Sequence, residues 1–418
     1  MIVQSEAAVP HSAIPTTPRP PALYWLALGT FAIGTEGFMI AALLTTIATD
    51  IRVSVAQAGL LVSIFALAYA ISSPVLTALT GRVDRRRLLL VSMTLFAMLN
   101  MVAALAHSFL ALAAARVLLA FAAGIYTPNA NALAGALVPA EQRGRAIAVV
   151  NGGLTAAIAL GVPLGAFVGD RLGWRMTFVG VAALSTVAVL GLAKGLPRGV
   201  GAAMVSASLA ERARAVRNPQ VARTLAVTTA WASGTYAVYT YVAPLLYMAT
   251  PLRGSQIGVA LFMWGAAAGF GLLISGHTTD RFGSRLVLRA SLTGLILALA
   301  GLAVVANVVA PAHAVVPVLA AIALWGMCSW AFFPAQQTRL IELVGVSGAP
   351  VALSLNASFM YLGFSLGAAL GSFSLLHVGP KDLGFVGAGC ELLALSLLLV
   401  NQALDAQSDQ RHAVSTVR

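Results

Sequence analysis

The sequence predicts an all-α integral membrane protein, with twelve transmembrane helices in two pseudo-symmetric six-helix bundles. Three observations lead there. Hydrophobic residues fill 59% of 418 positions and charged residues only 9%, a balance foreign to ordinary soluble domains. The apolar residues fall in runs of roughly twenty, enough to cross a bilayer at about 1.5 Å per residue. A charged, glycine-bearing loop also recurs once per half: Gly276-His-Thr-Thr-Asp280-Arg281-Phe-Gly283-Ser-Arg285, and more weakly Thr80-Gly81-Arg82-Val-Asp84-Arg85-Arg86-Arg87.

In chain order, residues 1–21 carry five prolines and lack the cationic-then-apolar pattern of a cleaved signal peptide. They read as a flexible cytoplasmic tail, with the first span as its own insertion signal. The first bundle, 22–193, holds spans at roughly 22–46, 57–80, 88–106, 109–137, 146–169 and 176–193. A basic cytoplasmic linker follows at 194–223, the longest polar break. The second bundle, 224–403, holds spans at roughly 224–247, 256–276, 286–309, 314–337, 350–376 and 384–403, before a cytoplasmic tail at 404–418.

The net charge of +12 is explained by topology, and no nucleic-acid module is visible. With both termini inside, nineteen basic residues fall on the cytoplasmic side and five (Arg52, Arg171, Arg175, Arg253, Lys381) outside. That bias orients a multi-pass protein of the cytoplasmic (inner) membrane. Cys328 and Cys390 both fall within spans and read as packing residues, with no disulfide framework or metal spacing.

The halves echo one another in their glycines. Gly161, Gly165 and Gly169 recur every fourth residue in the fifth span, as do Gly363, Gly367 and Gly371 in the eleventh. Small residues so spaced line one helix face and let backbones approach closely; the expectation is that these faces join the two halves. Pro128 and Pro334 fall at comparable places in spans four and ten, where each removes a backbone donor and can bend its helix.

Two six-helix halves, a basic linker and the loop containing Gly276, Asp280, Arg281, Gly283 and Arg285 resemble the major facilitator superfamily. The likeness covers about residues 22–403. It implies two halves, each of inverted three-helix repeats, with a substrate site between them near the midplane. The second loop matches the superfamily's Gly-x-x-x-Asp-Arg-x-Gly-x-Arg/Lys pattern in full. The first keeps Asp84 and Arg85, but has Thr80 and Arg87 where glycines are expected. Arg116 in span four and Gly161-Val162-Pro163-Leu164-Gly165 in span five resemble features of the twelve-span drug:proton antiporter branch, Val162 separating the usual Gly-Pro pair. Phe31-Ala-Ile-Gly34-Thr35-Glu36-Gly37-Phe38 and Gly173-Trp174-Arg175 are similar to the arabinose, purine and nucleoside efflux permeases.

Of thirteen acidic residues, Glu36 is the one near the middle of an apolar span. A carboxylate there costs several kcal/mol unless paired, protonated or facing water. It lies roughly 20 Å along the first span from Ala22, and Arg116 about 10 Å from the outer end of the oppositely directed fourth. In a core about 30 Å thick these depths coincide, so the two are expected to meet. The readings are proton coupling, a static ion pair, or contact with a cationic substrate. Glu391, in the last span, reads as structural or interfacial.

Asp84, Arg85, Gly276, Asp280, Arg281, Gly283 and Arg285 are expected to form a cytoplasmic gate beyond their part in setting topology. Candidate substrate contacts are Tyr126, Asn129 and Asn131 in span four, Trp231, Tyr236 and Tyr239 in span seven, and Trp330, Phe333 and Gln336 in span ten. Aromatic walls with scattered amides suit a flat, moderately polar molecule.

An enzyme is excluded as the leading reading, because the six histidines lie in tails, loops or span ends and none meets a mid-membrane acid. No phosphate-binding Gly-x-x-x-x-Gly-Lys-Ser/Thr loop is present, so a proton gradient is the expected energy source, with no cofactor or metal. The expected partners are the bilayer, protons and a small organic molecule, for a chain acting as a monomer. Export follows from the resemblance, with proton-symport import as the alternative; purines or nucleosides, sugars and amphipathic drugs all remain open as substrates.

Overall fold

The structure, a computed structural model, describes residues 20–139, 142–197 and 207–416. The tail expected over 1–21 and the centre of the linker expected over 194–223 lie largely outside them. A chain in lipid must satisfy its backbone groups internally, and helices do so. Among the described residues eleven helices are long and apolar enough to cross a membrane. The first six are Ala22–Asp50, Val55–Leu79, Arg85–Ala104, Phe109–Ala136, Arg143–Leu172 and Trp174–Gly195. Span eight is Ser255–Phe282, span nine Ser284–Val308, span ten Pro311–Gly345, span eleven Ser347–His377 and span twelve Pro380–Gln407.

The seventh crossing is divided, Pro219–Tyr239 followed by Val242–Ala249. At the break Tyr241 leaves helical geometry (φ −115°, ψ 23°). Its hydroxyl donates to the Ala368 carbonyl at 3.0 Å, and its ring fills the space over Gly59 and Gly371. The interruption thus lets one large ring wedge between spans two and eleven. The start, at Pro219, precedes the expected 224: Asn218 accepts from the Gln220 N–H at 3.0 Å and caps the helix there. Before it, Leu209–Arg217 forms a short helix in the linker, opened by the Ser208–Glu211 capping box.

Spans ten and eleven run together without a loop except at Gly345, whose φ of +71° only glycine adopts readily. The chain doubles back there, so Leu340 packs in one cluster with Ala352 and Leu355. The last helix continues to Thr416, through the residues expected as a cytoplasmic tail from 404, and Asp405 is buried against the bundle.

The two halves repeat one packing pattern. Span one lies on five and two on four, with three on six; span seven lies on eleven, eight on ten, and nine on twelve. Between the halves, span two meets eleven: Ser63 Oγ donates to the Ser365 carbonyl at 2.8 Å and Ser372 Oγ to the Ala56 carbonyl at 3.0 Å. Span five meets eight, where Gly265 faces the Ile158 carbonyl and Gly258 faces Ala166.

The glycine ladders do not join the halves as expected. Gly161, Gly165 and Gly169 face Thr35, Met39 and Leu43 of span one, in their own half. Gly363, Gly367 and Gly371 likewise face Ala232, Ser233, Ala237 and Tyr241 of span seven. Each ladder brings the first and fifth helix of its own bundle together, while the halves meet through spans two and eleven and through the glycines of span eight against span five.

Candidate functional site

Glu36 and Arg116 form an ion pair whose side chains are both 0% exposed. The guanidinium Nη1 donates to Glu36 Oε1 and, at 3.4 Å, to the Glu36 carbonyl; Nε donates to the Leu61 carbonyl at 3.3 Å. Its Cζ stands 4.2 Å from the centroid of Phe65, a cation–π contact strengthened by the dry surroundings. Spans one, two and four therefore meet at one charge. Glu36 Oε2 and Arg116 Nη2 each lack a partner among the described residues, leaving an acceptor and a donor group in reserve beside the pair.

Span five shapes the neighbourhood of the pair. Its helix loosens into a π-turn at Ala157–Gly161, where the Val162 N–H reaches back five residues to the Ala157 carbonyl. Pro163 follows directly and has no N–H to sustain the ordinary pattern. The turn lies on Gly34 and Thr35 on one side and on span eight on the other: Gly34 faces Ala157, Gly161 faces Thr35, and Gly265 faces Ile158. π-turns often mark functional sites, and this one links the residues beside Glu36 to the other half.

Two residues beyond Glu36, Phe38 enters an aromatic cluster that crosses the midline. Its ring meets Tyr236, Tyr239 and Phe364 edge-on at 6.0, 6.0 and 6.4 Å. Tyr236 stacks on Phe364 at 3.6 Å, and Tyr69 on Tyr361 at 3.8 Å. The Tyr239 hydroxyl donates to the Phe38 carbonyl at 3.3 Å, and its ring packs on Trp264, which meets Trp325.

Of the predicted substrate contacts, the structure brings Tyr236 and Tyr239 to this centre. The others serve elsewhere. Tyr126 donates to the Leu26 carbonyl at 3.2 Å and fills the space at Gly29, locking span four to span one. Asn129 accepts from Arg85 Nη1 at 2.8 Å. Asn131 Oδ1 is buried without a partner. Trp231, Trp330 and Phe333 form a separate stack with Phe332 inside the second half. Gln336 donates to the Thr224 carbonyl at 2.7 Å and to Thr228 Oγ1 at 2.9 Å.

The predicted gate residues are not drawn into one network here. Asp84 caps its own helix, accepting from the Arg87 N–H at 2.8 Å, and Arg85 turns to Asn129. Arg285 lies 3.9 Å from Asp405, while Arg281 rests over the Phe282 ring. Asp280 makes no ion pair among the described residues. Gly283 adopts φ +80° between spans eight and nine, whereas Gly276 has open space around it. Among the described residues, hydrogen bonds between the halves fall on Ala56, Ser63 and Phe38, away from the charged loops.

At the opposite end Asp50 accepts from Trp174 Nε1 at 3.2 Å and pairs with Arg175, which also donates to the Ala106 carbonyl at 3.0 Å. The Gly173-Trp174-Arg175 sequence therefore ties together the ends of spans one, three and six, with Gly173 at φ +87°.

The model of the Major Facilitator Superfamily matches residues 26–368 and 225–412. The chain belongs to this superfamily. It is therefore a multi-pass membrane transporter and not an enzyme. It is 32% identical over 382 residues to the uncharacterised MFS-type transporter YbcL of Bacillus subtilis, covering 91% of this chain and 95% of that one. It is 33% identical to a chloramphenicol resistance protein of Streptomyces lividans, over 90% of this chain and 94% of the relative. It is 30% identical to the inner membrane transport protein YdhP of Escherichia coli K12, with the same two coverages, 90% and 94%. Among solved structures, the nucleoside transporter NupG superposes with a TM-score of 0.71 at 16% identity, over 91% of this chain and 99% of that one. A bacterial homologue of the human lysosomal transporter Spinster, inward-facing and occupied, gives 0.69 at 17% identity, over 94% and 97%.

Sequence reasoning confined the facilitator's centre to spans one, four, seven and ten, and so missed Phe65, Tyr69, Tyr361 and Phe364. The signal was there. Span two carries Phe65 and Tyr69, spaced four apart, and span eleven carries Tyr361 and Phe364, spaced three apart, which places each pair on one helix face.

Proposed function

We propose that this transporter exports a small, flat, moderately polar organic molecule in exchange for protons, with Glu36 as the coupling carboxyl. The observation that carries the proposal is the fully buried Glu36–Arg116 pair with one oxygen and one guanidinium nitrogen unpartnered. Protonation of Glu36 cancels the charge that Arg116 balances, and so loosens span one from span four. Span one also carries Phe38, so a proton on Glu36 and a substrate among Tyr236, Tyr239, Tyr361 and Phe364 act on the same helix. The proton and the substrate then favour opposite arrangements of the halves, as exchange requires.

The aromatic cluster supports an aromatic or amphipathic substrate, whose faces replace the stacking of Tyr69 on Tyr361 across the halves when the halves part. The printed description of the Streptomyces relative as a chloramphenicol resistance protein and the Gly161–Gly165 element both support export. The basic ends lie on the cytoplasmic face of an inner membrane, and Asp84, Arg85, Asp280, Arg281 and Arg285 close that face in the alternate state. Direction is tested by chloramphenicol counterflow in everted and right-side-out vesicles, alongside growth protection against chloramphenicol and nucleoside analogues. Uptake into everted vesicles only on acidifying their lumen supports export; uptake into right-side-out vesicles on acidifying the outside contradicts it.

A further inference from the structure

A second carboxyl is buried in the membrane interior. Glu391, on span twelve, is 0% exposed. Thr235 Oγ1 donates to its Oε1 at 3.2 Å and lies 3.2 Å from Ser329 Oγ, so a hydroxyl chain runs from span ten through span seven to the acid. Oε2 has no partner among the described residues.

Unlike Glu36, this acid has no cation beside it among the described residues. Span seven presents Gly234 and Thr235 to it and span ten presents Ser329; span nine brings Leu299 beside Gly387, one turn before Glu391. Cys390 is the adjoining titratable side chain. Tyr236 and Tyr239 face the central cluster instead. The arginines of these helices, Arg223, Arg285, Arg289 and Arg339, stand ten or more residues along from the contacting positions, about 15 Å away at helical rise.

The place it occupies is not arbitrary. The register that matches Thr35, Met39 and Leu43 on their glycine ladder with Ser233, Ala237 and Tyr241 on theirs sets Glu36 opposite Gly234. Gly234 has no side chain, and Glu391 fills the gap: a Cβ there would stand 2.8 Å from Oε1. Each half therefore has one buried carboxyl at the same position beside its first helix, supplied from span one in one half and span twelve in the other.

We infer that Glu391 is a second proton-binding carboxyl, the counterpart of Glu36, and that it takes up and releases its proton as span seven moves against span twelve. A bare carboxylate among hydroxyls and apolar groups is strongly disfavoured, and here the proton does what Arg116 does for Glu36. The inference rests on the proton-coupled reading for its role in transport, but proton binding itself is tested separately.

The test is infrared difference spectroscopy of reconstituted full-length protein, titrated with pH, for wild type, Glu36→Gln, Glu391→Gln and Glu391→Asp. Wild type should show protonated-carboxyl bands of both acids that change with pH; the band that remains in Glu36→Gln should be missing from Glu391→Gln, which keeps the Glu36 band alone, and should be shifted in Glu391→Asp. The ratio of protons to substrate should fall by one in Glu391→Gln and recover in Glu391→Asp. If the band that remains in Glu36→Gln is unchanged in Glu391→Gln, or is invariant with pH, the inference is overturned. If wild type shows the band but no pH-driven transport, the proposed function falls while Glu391 stands as a proton-binding group.

Discussion

Arg116 holds Glu36 at two points, the carboxylate and that residue's own backbone carbonyl. The second contact matters because it fixes the helix as well as the side chain. A third bond, to the Leu61 carbonyl, ties span two to the same guanidinium, and only a forked donor can make all three.

Arg116→Ala is therefore expected to leave an unpaired buried carboxylate, destabilising the protein by about 3–5 kcal/mol. Glu36→Gln with Arg116→Ala removes both charges, and should recover much of the folded yield without recovering coupling. Melting temperature in detergent and gradient-driven transport, measured on wild type and both variants, separate the two effects. A double variant no more stable than Arg116→Ala would contradict the pairing account.

The ladder on span five has a sharper consequence than simple helix packing. A Cβ on Gly161 would stand 3.0 Å from Thr35 Cβ, and one on Gly165 3.2 Å from Met39 Cβ. Gly165→Leu should insert normally but lose transport, because overpacking of about 1–3 kcal/mol or more displaces the helix that carries Glu36. Gly161→Ala should show a milder form of the same defect. Wild-type transport by Gly165→Leu would contradict this.

At the basic end of the second half, Asp405 joins Arg339 of span ten, Arg285 of span nine and, at 3.5 Å, Gln220 Nε2 of span seven. Asp405→Ala should lower stability by up to about 3 kcal/mol, the lower end for a buried pair because the site is partly solvated. Thermal unfolding followed by scanning fluorimetry measures it. An unchanged midpoint would show that these contacts contribute nothing and that the residue behaves as part of the cytoplasmic tail expected from 404.

The fold was legible because lipid leaves the chain so few options. Apolar runs, basic loops and paired glycine ladders all pointed to two six-helix halves. The meeting of Glu36 and Arg116 was legible too, since both depths follow from helical rise. The partners of the ladders were not, because a glycine face states that something approaches closely without stating which helix. The break at Tyr241 was hidden by an apolar run continuing through it, and Asp405 looked like tail because a helix leaving the membrane has no apolar signature. The aromatic candidates scattered because sequence gives each residue's helix face only relative to its own helix, and span ten turns Trp330 and Phe333 toward span seven's Trp231.

The separated charges at the basic end lead to a prediction about the alternate state. If Asp280 meets arginines there only when that end closes, Asp280→Asn should favour the arrangement seen here. A cysteine introduced near Thr155, on span five, should then label faster with an impermeant thiol reagent applied to everted vesicles. Equal rates at equal expression would leave Asp280 with a role in topology alone.

The central claim, that Glu36 carries the coupling proton, is tested most directly by transport in proteoliposomes with and without an imposed pH gradient. Glu36→Gln keeps the size and a hydrogen-bonding oxygen but cannot titrate. It should bind substrate and exchange it across the membrane, yet accumulate it far less steeply than wild type when the gradient is imposed. A variant that concentrates substrate as steeply as wild type would place the proton elsewhere and leave Glu36 as a structural partner of Arg116.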